Sequence, residues 1–264
     1  EWAFAAVWIV GGLLALAGAL TFAELATMYP RSGGIYVYIR VAFGPAAAFA
    51  FGWAELLLIR PASYGAISIV CAEYSWRLVG VDGTVPVPVF GMSRAQAMAA
   101  LLIALVAWIN IRGVHLGALL QNVSTVLKVA ALLILVAIGL VLAPEAAAVP
   151  MSDAPPFTLA AFGLALVSVL WVYDGFADLS FIAGEVRDPS RTLPRGLIAG
   201  TVIIIAVYMA VNWVYVGTLS MAGLPGAALV AADVAVELVG QAGLVFVTVA
   251  VAISALGSLN GSTM

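Results

Sequence analysis

The chain has 264 residues, of which 65% are hydrophobic and only 9% charged; a soluble domain carries about 25% charged residues. Such a chain cannot cover a globule with polar surface, which excludes a soluble enzyme or binding module. A net charge of −3 gives no footing for nucleic-acid binding.

Helix is expected rather than strand, because the apolar runs are long and do not alternate. At roughly 20 residues per crossing, the pattern predicts seven spans: 3–28, 45–78, 94–112, 117–143, 157–184, 196–219 and 239–264. The second is long for one crossing and must tilt or protrude. The chain opens at Glu1-Trp2 inside one apolar run and stops at Met264 inside another. We therefore expect residues 1–264 to be one transmembrane domain truncated at both ends.

After the first span comes Tyr29-Pro30-Arg31-Ser32-Gly33-Gly34, a turn signal. The aromatics that come next, with Arg40, predict either a short amphipathic helix on the membrane face or an ordinary connector. Glu24, near the inner end of the first span, is read as structural or as an inner-gate partner for an arginine of loop 185–195. Arg60, deep in the second span before Pro61, needs partners. Glu55 lies five residues away and out of α-helical phase, so Arg60 is expected to bind carbonyls near a Pro61 kink. Trp2, Trp8, Tyr74 and Trp76 suit interface belts or packing equally. Cys71 is expected to be a packed thiol.

Loops 29–44, 113–116 and 185–195, with Arg112 at the edge of the set, carry six arginines: Arg31, Arg40, Arg112, Arg187, Arg191 and Arg195. The alternate loops, 79–93, 144–156 and 220–238, have only Arg77 and Arg94 at their borders. The bias places 29–44 and 185–195 in the cytoplasm. Thr192 is expected to cap the helix after it, with Pro194 in its first turn. His115 is the only histidine and makes neither a metal site nor a triad, so no metal and no cofactor are expected.

The fifth span holds the strongest functional signal. An apolar run is interrupted at Asp174-Gly175 where a continuous crossing would be at mid-depth. A carboxylate at that depth marks a functional site, and the glycine weakens the helix. The freed backbone groups must then face protein or a wet cavity, as at the broken helices of secondary transporters. Freed carbonyls suit an ammonium, and a half-helix N-terminus suits a carboxylate.

Four blocks carry a family resemblance. Pro30-Arg31-Ser32-Gly33-Gly34 is followed by Tyr36, Tyr38 and Phe43-Gly44-Pro45. Leu58-Ile59-Arg60-Pro61-Ala62-Ser63 comes with Ala72-Glu73-Tyr74. Tyr173-Asp174-Gly175-Phe176 precedes Gly184-Glu185-Val186, Asp188-Pro189 and Leu193-Pro194. The last block is Gly257-Ser258-Leu259-Asn260-Gly261. In order and spacing they resemble the amino acid–polyamine–organocation (APC) superfamily, and above all its L-type amino acid transporters and bacterial amino acid exchangers.

The resemblance implies an all-α membrane protein of the leucine-transporter-like inverted-repeat fold, corresponding to helices 2 to 8 of twelve. It implies that Trp171 gates the substrate and that the carbonyls of Val172 and Asp174 face it, within a binding segment of Trp171, Val172, Tyr173, Asp174, Gly175 and Phe176. Lys128 would stand where sodium-coupled relatives hold their ion, facing Ser254 and Ser258. The face Ser254, Gly257, Ser258 and Gly261 shares one side of its helix and includes a small-xxx-small pair. A lysine snorkelling to water is the alternative for Lys128.

The implied function is secondary active transport of amino acids, by exchange or proton coupling, through alternating access in a bacterial plasma membrane. The implied partners are the amino acid and the lipid bilayer; neither the particular amino acid nor an accessory subunit can be read from the residues. A seven-helix retinal protein or receptor is the competing class, although its lysine is expected in the last span. An intramembrane hydrolase using His115 is a third.

Overall fold

The computed structural model describes residues 2–87, 91–111, 114–142, 157–181, 183–227 and 229–263. Its helices are α1 (Trp2–Met28), α2 (Gly34–Phe43), α3 (Pro45–Ala54), α4 (Arg60–Leu78), α5 (Arg94–Ile111), α6 (Val114–Leu142), α7 (Leu159–Tyr173), α8 (Pro189–Gly223), α9 (Val230–Val239) and α10 (Gln241–Thr263). A π-helical turn, Glu55–Ile59, joins α3 to α4, so Pro45–Leu78 runs as one helix. That helix and α1, α5, α6, α8 and α10 are long and apolar enough to cross a membrane. Large apolar side chains such as Leu13, Leu101, Val141 and Trp213 are exposed along these helices, as a lipid-facing surface requires.

The chain divides into two compact units. The first comprises residues 1–55 and 151–212, and the second 56–150 and 213–264. In the first, α1 packs on α7. Apart from Val7, the buried face of α1 is made of small residues, Gly11, Gly12, Ala15, Ala19, Ala23 and Ala26. A methyl on Gly11 would stand 2.6 Å from Val169 Cγ1, and one on Gly18 would stand 2.7 Å from Phe176 Cζ. Small residues four apart let two backbones approach, and here they bring α1 directly onto the region of the break.

The loop after α1 is tied to the segment after the break. The Gly33 amide donates to the Phe181 carbonyl at 2.9 Å, and a methyl on Gly184 would meet Ser32 Oγ at 2.6 Å. Ala26, Ala183 and Leu193 close a small core beneath them. Two loops assigned to the same membrane side by their arginines thus meet in one unit. Helix α2 is the predicted short helix. Its buried residues are Gly34 and Tyr38, while Val41 and Phe43 are exposed.

In the second unit α10 is the hub, packing on α4, α5, α6 and α9. Tyr74, Leu135, Ala232, Ala235, Leu244 and Val247 form its core. Arg77 pairs with Asp233 and ties α4 to α9. Cys71 is free and buried, as expected.

Several expectations are corrected. Region 220–238, read as a loop, contains α9. Its apolar residues Ala232, Val234 and Ala235 are buried in the second unit, and packing rather than a caps-and-turns signal makes the helix. Helix α8 starts at Pro189, not near 196, because the Pro ring suits a first turn. Thr192 is therefore inside the helix, and its hydroxyl donates back to the Arg187 carbonyl instead of capping. His115 lies in the first turn of α6, not in a loop. The π turn is wound wider than an α turn, with i→i+5 hydrogen bonds, so Glu55 and Arg60, at its start and just past its end, cannot be judged by α-helical phase. Arg112 and the whole of loop 144–156 lie outside the described residues.

Candidate functional site: a helix that stops at mid-span

Helix α7 begins at Thr158, whose hydroxyl accepts from the Ala161 amide as an N-cap. It ends at Tyr173. Asp174 is extended, with φ −63° and ψ 154°, and Gly175 comes next at φ 108°, a conformation open to glycine. The expected interruption is therefore present at Tyr173 to Gly175. The chain beyond it does not form a second α-helical half. Residues 178–180 and 183–185 form single 3₁₀ turns, because the chain must reach the Ser32–Gly34 loop within a few residues.

The break releases carbonyls. The Asp174 amide turns back to the Trp171 carbonyl at 3.3 Å, and the Asp178 amide bonds the Gly175 carbonyl at 3.1 Å. Among the described residues the Tyr173 and Asp174 carbonyls accept no hydrogen bond. The Val172 carbonyl accepts one, from the Tyr208 hydroxyl of α8 at 3.3 Å.

The segment has two faces. Tyr173 is buried, its hydroxyl 3.4 Å from the Trp8 carbonyl. Phe176 packs edge-on against Phe22 of α1. Trp171, Val172, Asp174 and Gly175 are exposed on the surface of this unit. The side chains thus split into two that brace the break against α1 and four left open at it. Glu24 makes no ion pair with an arginine among the described residues, and its carbonyl accepts from the Thr27 hydroxyl.

In the second unit Lys128 and Ser254 line one cavity of about 100 Å³. Its other walls are Ala131, Leu135, Tyr215, Phe246 and further apolar residues of α6, α9 and α10. Lys128 makes no hydrogen bond or ion pair among the described residues. The rest of the expected small face meets a different part of α6. A methyl on Gly257 would overlap Ser124, and one on Gly261 would stand 3.1 Å from Gln121. Ser258 is half-buried and does not line the Lys128 cavity.

Two polar features escaped sequence reasoning. Asn260 is fully buried; its amide donates to the Gly117 carbonyl at 2.8 Å and its oxygen accepts from Asn110 at 3.0 Å, which joins α10, α6 and α5. An asparagine within an apolar helix was the available signal, since it must find partners there. Tyr208 gave no signal, because its partner is a carbonyl 36 residues away.

Six membrane-length helices among the described residues, with a shorter apolar helix stopped by an extended residue and a positive-φ glycine, make this an all-α membrane protein of the leucine-transporter-like class. The chain belongs to the amino acid permease family, which it matches over residues 3–264. It is 32% identical over 259 residues to the human b(0,+)-type amino acid transporter 1, covering 97% of this chain and 52% of that protein. It is 28% identical over 258 residues to the serine/threonine exchanger SteT of Bacillus subtilis (97% and 56%). It is 31% identical over 258 residues to the human cystine/glutamate transporter (97% and 50%). The chain spans about half the length of the curated relatives it matches. The family is one of transporters, not enzymes, which sets aside the retinal-protein, receptor and hydrolase alternatives.

Proposed function

We propose that the chain is part of a secondary active amino acid transporter working by alternating access, with substrate held at the unwound segment Trp171, Val172, Tyr173, Asp174, Gly175 and Phe176. The observation that carries this is the pair of carbonyls at Tyr173 and Asp174 that find no donor among the described residues, beside four exposed residues of the same segment. Carbonyls without donors at a helix break accept from an ammonium. Two relatives are named as exchangers or transporters of particular amino acids, serine/threonine and cystine/glutamate, so an amino acid is the substrate class.

In this reading Trp171, 57% exposed at the end of α7, is the gating aromatic. Lys128 with Ser254 and Ser258 supplies the coupling element, Glu24 and Arg60 are gating or structural residues, and loops 29–44 and 185–195 face the cytoplasm of a bacterial plasma membrane. The test is counterflow in liposomes carrying the full-length protein. Labelled amino acid accumulates when unlabelled amino acid is loaded inside, and an imposed pH gradient without internal substrate separates proton coupling from exchange. No uptake of any amino acid under either regime overturns the proposal. Within the same assay Lys128→Ala impairs transport more than Arg112→Ala.

A further inference from the structure

We infer that Tyr208 is a positioning residue for the substrate ammonium, acting through the Val172 carbonyl; this rests on the transport reading above. Val172 lies in the last turn of α7, where the chain departs before an amide can reach its carbonyl from the next turn. The Tyr208 hydroxyl supplies the missing donor at 3.3 Å. A carbonyl oxygen has two lone pairs, so this bond fixes the direction of the C=O and leaves one acceptor site open.

The hydroxyl is itself held in place. The Tyr208 ring packs on Tyr173, with centroids 5.3 Å apart, and edge-on against Trp8 at 6.0 Å. Tyr173 also meets Trp8 edge-on at 5.9 Å. Three rings from α1, α7 and α8 therefore lock one another, and a methyl on Gly12 would stand 3.1 Å from Ile205 and 3.2 Å from the Tyr173 hydroxyl. The Val172 carbonyl next to them belongs to an exposed residue. A fixed, singly satisfied carbonyl at an open position is built to accept from a second donor, and the chemistry that fits is the primary ammonium of an α-amino acid.

Tyr208→Phe keeps every ring contact and removes only the hydroxyl. In the full-length protein it raises KM or Kd for the amino acid about fivefold, the worth of one ordinary hydrogen bond. It also narrows the preference for the amino acid over its analogue with hydroxyl in place of the α-amino group, a ratio that a general bracing role leaves unchanged. Tyr64→Phe removes another tyrosine-to-carbonyl bond, to Ser262 in the second unit, and keeps both values. Should Y208F fail to fold, Tyr208→Met fills the space without a donor and is measured in the same way. Parental KM and parental discrimination in the variant, or equal loss for both ligands, overturn the inference alone. A parent protein that takes up no amino acid overturns the transport reading, and this inference with it.

Discussion

Gly34 and Ser180 are in van der Waals conflict with any side chain larger than hydrogen between them. A methyl on Gly34 would stand 2.6 Å from Ser180 Oγ and 3.1 Å from the Phe181 amide nitrogen, and Gly34 has φ +45°. The glycine pair that reads as a turn in the sequence is therefore also the dock for the chain beyond the helix break. Gly34→Ala meets both a backbone cost of about 1–2 kcal/mol and the overlap. We expect a lower melting temperature in detergent and reduced uptake. Gly80→Ala, at φ +68° with nothing within 4 Å, carries the backbone cost alone and is milder. Equal effects of the two would show that the Ser180 contact is unimportant.

Asn260 supports a second prediction. Its side chain bridges Gly117 on α6 and Asn110 on α5 from a fully buried position. Asn260→Ala leaves a carbonyl and an amide without this partner, at about 1–3 kcal/mol per unsatisfied group. Thermal unfolding of the variant should begin well below the parent. Asn110→Ala removes the bond to Asn260 and one to the Val106 carbonyl of its own helix but leaves the Gly117 carbonyl its donor, so its shift is smaller.

The residues explain what was legible beforehand. The break at Asp174-Gly175 could be read because a carboxylate and a glycine at mid-depth violate the rules of a continuous crossing. Helix α9 could not, because Val230–Val239 is too short to span and is held by burial of Ala232, Val234 and Ala235 in the second unit, a tertiary effect. The run after Gly175 stays apolar, so composition predicts a continued helix; the 3₁₀ turns arise from docking on Ser32–Gly34, which hydropathy does not encode. The docking stripe Gly11, Ala15 and Ala19 was present as a four-residue repeat of small residues but was hidden inside a uniformly apolar helix. Lys128 and Ser254 line one cavity without Ser258, and Ser124, which the sequence did not single out, is what Gly257 makes room for.

Topology offers an independent check. Ser32 and Ser190, the latter in the first turn of α8, are exposed and lie in the segments 29–44 and 185–195 proposed to face the cytoplasm. In intact cells, cysteines at these positions should resist a membrane-impermeant maleimide, while one at exposed Thr84 should react. Cys71 is 2% exposed and gives no background. Rapid labelling at 32 and 190, with Thr84 silent, would invert the orientation.

Asp82 gives a pH dependence of known sign. The Thr84 hydroxyl at 2.7 Å and the Thr84 amide at 2.8 Å hold its carboxyl below the usual carboxylate range. A pKa lower in the folded than in the unfolded state means that the turn is stabilised above the unfolded value, about 3.9, and loses that contribution as pH falls through the folded value. The parent and Asp82→Asn should differ in melting temperature at pH 6, and the difference should shrink below about pH 4. A difference constant across this range would mean that the charge is not the operative feature.

Gly257 and Gly217 make a contrasting pair of glycines in the second unit. A methyl on Gly257 would overlap the Ser124 hydroxyl and stand 2.6 Å from Ser124 Cβ, so α10 and α6 come close at this position because the side chain is missing. A methyl on Gly217, in α8, would have nothing within 4 Å. Alanine gains about 1 kcal/mol over glycine in an open helix, whereas overpacking costs about 1–3 kcal/mol. The two substitutions should therefore differ in sign: Gly217→Ala neutral or stabilising, Gly257→Ala destabilising. If the clash is the cause, removing the opposing side chain relieves it, and Ser124→Gly combined with Gly257→Ala should melt above Gly257→Ala alone despite the second helix-weakening glycine. Additive losses in that cycle would mean that α10 shifts away from α6 rather than pressing on Ser124, and close packing at this position would not be what glycine serves.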